Sequence, residues 1–168
     1  MGRSYQAIVF SHGKESGPWG SKILAMAEIA RGFVPRVESV DYRGVDDPRA
    51  RVAQLIAVGR GLPPPLVLVG SSLGGHVSAA AAGLLPVRGL FLLAPAFYMP
   101  GFEAQTPRVA CAAAIVHGWR DDVVPVEHSI RWAREHGAAL HVLDSDHRLQ
   151  DRIAAIGDLL RDFLVALD

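Results

Sequence analysis

Two short runs, Leu66-Val67-Leu68-Val69 and Leu90-Phe91-Leu92-Leu93, are apolar at every position. Successive side chains of a strand point to opposite faces, so a run with no polar position must be covered on both. That is the situation of a central strand in a parallel sheet with helices packed on either side. Gln6–Phe10, Arg36–Tyr42, Val87–Leu93, Ala112–Val116 and Leu140–Leu143 bring the strand-like segments to six. Segments of helical spacing separate or follow them: Ser21–Gly32, Asp47–Gly59, Leu73–Leu85, Val126–His136 and Gln150–Leu167. Asp47-Pro48 is a helix start, because an aspartate can accept the orphan N–H bonds and a proline is pre-set for the first turn. Gly137 is a helix stop, and Pro63-Pro64-Pro65 imposes an extended approach to the third strand. In the last helix Ile153, Ile156, Leu160, Phe163, Leu164 and Leu167 form one apolar stripe. The pattern predicts an α/β fold, a three-layer α/β/α sandwich around a mainly parallel, roughly six-stranded sheet, in a single domain spanning residues 1–168.

Composition narrows the function classes. Of 168 residues half are hydrophobic and 20% charged, which excludes a disordered polymer. The 17 basic and 17 acidic residues cancel, which argues against a nucleic-acid partner. A lone cysteine, Cys111, can form neither an intrachain disulfide nor a thiolate cage, and suits a reducing compartment. The segment Met1–Tyr5 is too short and polar for a signal peptide, and no apolar run approaches the ~20 residues that span a bilayer. The expectation is a cytoplasmic protein with no membrane partner; oligomeric state is not readable.

In open α/β sheets the functional residues sit in loops beyond the C-terminal strand ends. After the third strand comes Gly70-Ser71-Ser72-Leu73-Gly74, a G-x-S-x-G pattern between a strand and a helix. A nucleophile on so tight a turn needs neighbours without side chains, and the helix behind it offers free N–H groups and a positive dipole end. A glycine-rich loop with a capping serine, or a phosphate site, has the same letters; the strand–turn–helix context favours Ser72 as nucleophile.

A serine needs a base, and there are seven histidines. His12 and His117 each precede a glycine at a strand end, where shaping the loop is the expected role. His76 lies inside the helix after Ser72 and is expected in packing. His128, His136 and His141 sit on or beside the Val126–His136 helix as solvated or partly packed residues. His147 stands apart, in the polar loop Asp144-Ser145-Asp146-His147-Arg148 after the last strand, at the same edge as Ser72. The base in turn needs a carboxylate to set its tautomer. The loop after the penultimate strand offers two, Asp121 and Asp122.

These elements resemble the α/β-hydrolase superfamily over essentially the whole chain. Gly70-Ser71-Ser72-Leu73-Gly74, Gly118-Trp119-Arg120-Asp121-Asp122-Val123-Val124-Pro125 and Asp146-His147 occur in that family's order of serine, acid, histidine. The second is similar to the family's G-x-x-D-x-x-V-P loop, a register that implies Asp121 as the acid, with Asp122 as the alternative. Ser11-His12-Gly13-Lys14 resembles the H-G-x turn that supplies an oxyanion N–H. The resemblance therefore implies an oxyanion hole from the backbone N–H of Leu73 and that of Lys14 or Gly13. Two departures matter. There is no room before Gln6 for the two further strands that relatives commonly carry, and Ala94–Arg108 is too short for a helical lid. The chain thus resembles small lidless esterases and dienelactone-hydrolase-like proteins, with an open, shallow site. Trp19, Phe97, Tyr98, Met99 and Phe102 are candidates for an acyl pocket, or else ordinary packing that caps the sheet. The implied activity is hydrolysis of a small ester or thioester through an acyl-enzyme, with no metal and no organic cofactor. An amide or carbon–carbon bond on the same residues, or a non-catalytic binding protein on the same fold, stays open at this point.

Overall fold

The computed structural model describes residues 2–168. Six parallel strands, β1 (Ala7–Ser11), β2 (Arg36–Val40), β3 (Leu66–Ser71), β4 (Val87–Leu93), β5 (Ala112–Gly118) and β6 (Ala139–Leu143), form one sheet in the order β2-β1-β3-β4-β5-β6. Five helices connect or follow them: α1 (Ser21–Arg31), α2 (Pro48–Arg60), α3 (Leu73–Ala82), α4 (Val126–His136) and α5 (Ile153–Ala166). The sheet is parallel throughout, and among the described residues no cap domain covers it.

The double-sided apolar strands do what their pattern requires. On one face Ile8, Phe10, Val67, Val69, Phe91 and Leu93 pack with α1 and α5 through Ile23, Met26, Ile156, Leu160 and Leu164. On the other Ala7, Val9, Leu66, Leu68, Leu90 and Leu92 pack with α2, α3 and α4 through Leu55, Val77 and Trp132. Asp47 caps α2, its side chain accepting from the Arg49 N–H at 3.1 Å, and Gly137 closes α4 in the left-handed conformation, φ 64°.

Several expected boundaries shift for local reasons. β1 runs one residue later than Gln6–Phe10, from Ala7 to Ser11. β2 stops at Val40, where the chain turns through Gly44 at φ 78°. β5 continues two residues past Val116, so His117 lies within the strand, in register with Val142. α3 stops at Ala82 rather than Leu85, since Gly83 caps it and Pro86 disfavours helix just before itself. The last helix is entered through a 3₁₀ turn, Gln150–Arg152, after Leu149 takes φ 56°.

The strand order reverses at β1, with β2 on one side and β3 on the other. The crevice at such a reversal, beyond the carboxyl ends of the strands, is where ligands bind in open α/β sheets. Here it is bordered by the loop after β1 and the turn after β3.

Candidate active site

Ser72 stands at the N-cap of α3 with φ 54° and ψ −119°. Such a backbone costs a non-glycine residue on the order of 1–3 kcal/mol, and it persists only where the surroundings hold it. They do: the Ser72 N–H donates to the Leu93 carbonyl at 2.9 Å, and the Ser72 carbonyl accepts from Gly75 at 2.9 Å and Ala96 at 3.0 Å. The flanking glycines are required by space. A Cβ on Gly70 would run into the Gly74 carbonyl, and one on Gly74 into the Ser11 carbonyl.

The loops after β3, β5 and β6 meet here. His147 Nε2 lies 3.0 Å from Ser72 Oγ, and His147 Nδ1 lies 2.7 Å from Asp121 Oδ2. The carboxylate can only accept, so Nδ1 carries the hydrogen and Nε2 is left with a lone pair facing the hydroxyl. The Asp121 side chain is fully buried, whereas that of His147 is 18% exposed. The other oxygen, Asp121 Oδ1, accepts from the Val123 and Val124 N–H groups, each at 2.8 Å. Burial pushes the Asp121 pKa upward. Hydrogen bonds from His117, His147 and the two backbone amides outweigh it and hold the carboxyl well below the usual carboxylate range.

Backbone bonds join the acid and histidine loops: Trp119 N–H to the Leu143 carbonyl at 2.9 Å, and Arg120 N–H to the Ser145 carbonyl at 3.0 Å. Gly118 permits this approach, since a Cβ there would strike the Ser145 carbonyl. The histidine loop is tied down from beyond as well. Asp146 Oδ1 accepts from the Arg148 and Leu149 N–H groups, and Lys22 Nζ donates to the Arg148 carbonyl at 2.8 Å. Burial pulls the Lys22 ammonium down to about 8, against the opposing pull of Asp146. Asp122, the alternative acid, is exposed and makes no hydrogen bond or ion pair with Ser72, His147 or Asp121.

The turn after β1 lies beside Ser72: a Cβ on Gly13 would sit 3.4 Å from Ser72 Cβ. The N–H groups of Gly13, Lys14 and Leu73 donate to no acceptor among the described residues. His12 is fully buried and shapes this turn. Its Nε2 accepts from the Tyr42 N–H at 2.9 Å, so its Nδ1 carries the hydrogen and donates to the Gly13 carbonyl at 2.7 Å.

His117 does more than shape a strand end. It is fully buried, with Nδ1 2.7 Å from Ser129 Oγ, and with Nε2 2.9 Å from the Val124 carbonyl and 3.0 Å from Asp121 Oδ2. Both groups facing Nε2 are acceptors, so Nε2 is the donor, and Asp121 Oδ2 is shared by two histidines. The expected role of shaping the loop does not include this contact with Asp121. The signal available in the sequence was its position four residues before the acid. Of the rest, His128 Nδ1 meets the Phe97 carbonyl at 2.7 Å, and His136 stacks on Trp132 with ring centroids 3.9 Å apart. His76 is half-buried in α3, and burial pulls its pKa down.

Of the candidate pocket residues, Phe97 and Tyr98 are engaged with α4. Phe97 is fully buried and stacks on Trp132 of α4 with centroids 4.8 Å apart. Tyr98 donates its hydroxyl to Glu135 at 2.7 Å, under the Arg131 guanidinium 3.9 Å from its ring centroid. Tyr98 thereby lines a polar pocket of about 200 Å³ with Glu103, Thr106, Arg108 and His136, which no residue of the Ser72 line borders. Met99 is half-buried, Phe102 is exposed, and Trp19 is exposed with the Arg31 guanidinium over its ring. Among the described residues no cluster of His, Cys, Asp and Glu is placed to hold a metal ion, and no helix is long and apolar enough to cross a membrane.

Comparison with known proteins bears on the fold. The chain is similar over 99% of its length, and 99% of the other chain, to a protein of the alpha/beta hydrolase superfamily from Xanthomonas campestris pv. campestris, with 31% identity and a TM-score of 0.89. It shares its fold with Est1E from Butyrivibrio proteoclasticus, at 17% identity, a TM-score of 0.84, and coverage of 96% of this chain and 88% of that one. It also shares it with an α/β serine hydrolase without lid from Xanthomonas campestris, at 18% identity, a TM-score of 0.76, and coverage of 98% and 84%. No curated protein matches the sequence. A model of the alpha/beta hydrolase family matches residues 8–167. The chain belongs to the alpha/beta hydrolase family.

Proposed function

We propose that the protein is a serine hydrolase that cleaves a small carboxylic ester or thioester through an acyl-enzyme. One observation carries the reading: the hydrogen-bonded line from Asp121 through His147 to the Ser72 hydroxyl, with Ser72 held on a strained turn. Ser72 Oγ bonds to the substrate carbonyl carbon as its proton passes to His147 Nε2, and the carbonyl electron pair moves onto oxygen. The N–H of Leu73 and that of Gly13 or Lys14 receive this oxyanion. When the carbonyl re-forms, the alkoxide or thiolate leaves with the proton from His147. Water then repeats the two steps against the acyl-enzyme. Asp121 keeps the hydrogen on Nδ1 and stabilises the imidazolium. A fluorophosphonate tests the reading: mass spectrometry should find the adduct on Ser72 and not on Ser71. An unlabelled Ser72 in a folded protein would overturn it.

The acid limb of the rate profile follows from the two side chains. Asp121 stays ionised down to strongly acid pH, so its protonation cannot set the limb. His147 must be neutral to take the serine proton. For a p-nitrophenyl ester kcat/KM should therefore rise with pH from the acid side and then level off. A flat profile would remove His147 as the base.

Substrate size follows from the absence of a cap. The segment between β4 and β5 is short, and it turns its aromatic side chains Phe97 and Tyr98 toward α4. Burial of a further CH₂ stabilises binding by up to about 0.8 kcal/mol, but only in a dry pocket. Across p-nitrophenyl esters and acyl-CoA thioesters of graded length, short acyl groups should therefore be turned over as well as long ones or better. A steep rise in kcat/KM with chain length would contradict an open site.

A further inference from the structure

Arg51 is a charged side chain 1% exposed in the interior, and no carboxylate among the described residues lies within ion-pair distance of it. An arginine is almost never fully buried unless paired. What surrounds this guanidinium is backbone and a ring. Nε donates to the Val45 carbonyl at 2.6 Å, and Nη1 lies 3.3 Å from both the His12 and the Gly13 carbonyls. The Tyr42 ring centroid is 5.1 Å from its carbon. A helix residue one turn inside α2 thus reaches across to the turn after β1, at the crevice where the strand order reverses.

The identity of the two carbonyls matters. The His12 carbonyl belongs to the peptide unit whose N–H is that of Gly13, and the Gly13 carbonyl to the unit whose N–H is that of Lys14. These are the two N–H groups of this turn offered, beside that of Leu73, to a developing oxyanion, and neither meets an acceptor among the described residues. The Gly13 carbonyl is held twice, by Arg51 and by His12 Nδ1. A cation donating to a carbonyl fixes the orientation of that peptide plane. It also polarises the unit, so that the N–H at the other end becomes a stronger donor, the more so in a dry interior.

We propose that Arg51 is the positioning residue of the oxyanion hole. Its guanidinium holds the His12-Gly13-Lys14 turn by its two carbonyls and places a positive charge behind the N–H groups that receive the oxyanion. The proposal rests on the serine-hydrolase reading above. Its effect belongs to the tetrahedral states, where the carbonyl oxygen is charged, and not to binding of the neutral ester.

The test compares Arg51→Met and Arg51→Lys with the wild-type protein, on p-nitrophenyl acetate and on a trifluoromethyl ketone that forms a charged tetrahedral adduct with serine. Removing one oxyanion donor outright costs about 10²–10³ in kcat, so loosening its support should cost about tenfold to hundredfold. Arg51→Met should lower kcat by that factor with KM within about twofold and the acid limb where the wild type has it. Its affinity for the ketone should fall by the same factor as kcat/KM. Arg51→Lys, with the charge but only a single point donor, should recover part of the loss. A folded Arg51→Met with wild-type kcat and ketone affinity overturns the proposal. So does a loss that appears in KM or moves the acid limb, as a general loosening of the fold would give. Should Arg51→Met fail to fold, Arg51→Lys decides: a severalfold lower kcat at unchanged KM supports the proposal, and wild-type kcat overturns it. A wild-type protein whose Ser72 resists fluorophosphonate overturns the hydrolase reading itself and this proposal with it. Labelled, active wild type beside fully active Arg51 variants overturns this proposal alone.

Discussion

Ser72→Ala should remove ester turnover by a factor on the order of 10⁴ to 10⁶ while the protein keeps its fold. The size of the loss follows from what is left. Without Oγ there is no bond to the acyl group, so no acyl-enzyme forms. Only the unpaired N–H groups and the His147–Asp121 pair remain to act on a water molecule. The fold should survive because the hydroxyl contributes nothing else: the backbone of Ser72 makes the bonds to Leu93, Gly75 and Ala96, and its Oγ meets only His147. Alanine also tolerates the φ of 54° about as well as serine. Circular dichroism and the thermal midpoint should match the wild type while fluorophosphonate labelling disappears. Retention of wild-type esterase activity would remove Ser72 from its role.

The fold was legible because it rests on local periodicity. Leu66–Val69 and Leu90–Leu93 could be satisfied only by cover on both faces, and Asp47-Pro48 and Gly137 punctuated helices where the structure begins and ends them. The turn at Ser72 was legible for a similar reason, since Gly70 and Gly74 stand where a Cβ would collide with backbone. The supporting residues were not. His117 touches Asp121 because β5 runs on past Val116, and that extension depends on its pairing with β6. Arg51 reaches the His12 and Gly13 carbonyls from α2, a contact between distant segments that no spacing in the sequence marks. Phe97 and Tyr98 illustrate the converse. Their aromatic character marks them as apolar contacts, but only the packing of α4 decides that Trp132 and Glu135 receive them.

Asp121→Asn should lower kcat by about 10⁴, and Asp122→Asn should leave it within about twofold. The first figure follows from how the carboxylate is held. Oδ1 accepts two backbone N–H bonds, from Val123 and Val124, so an asparagine must keep its oxygen on that side. Its NH₂ then takes the place of Oδ2, facing His147 Nδ1 at 2.7 Å and His117 Nε2 at 3.0 Å. Both nitrogens carry hydrogens in the wild type, so donor would meet donor at each. His147 relieves the conflict by moving its hydrogen to Nε2, where it points at Ser72 Oγ. A histidine in that tautomer cannot take the serine proton. The loss should fall on kcat with little change in KM, because Asp121 is fully buried behind His147 and touches no substrate. Asp122 is exposed and none of its atoms takes part in the line from Asp121 to Ser72. Steady-state rates of the two variants on one p-nitrophenyl ester decide the matter. Equal losses, or a larger one in Asp122→Asn, would show that the acid is not the residue the geometry points to.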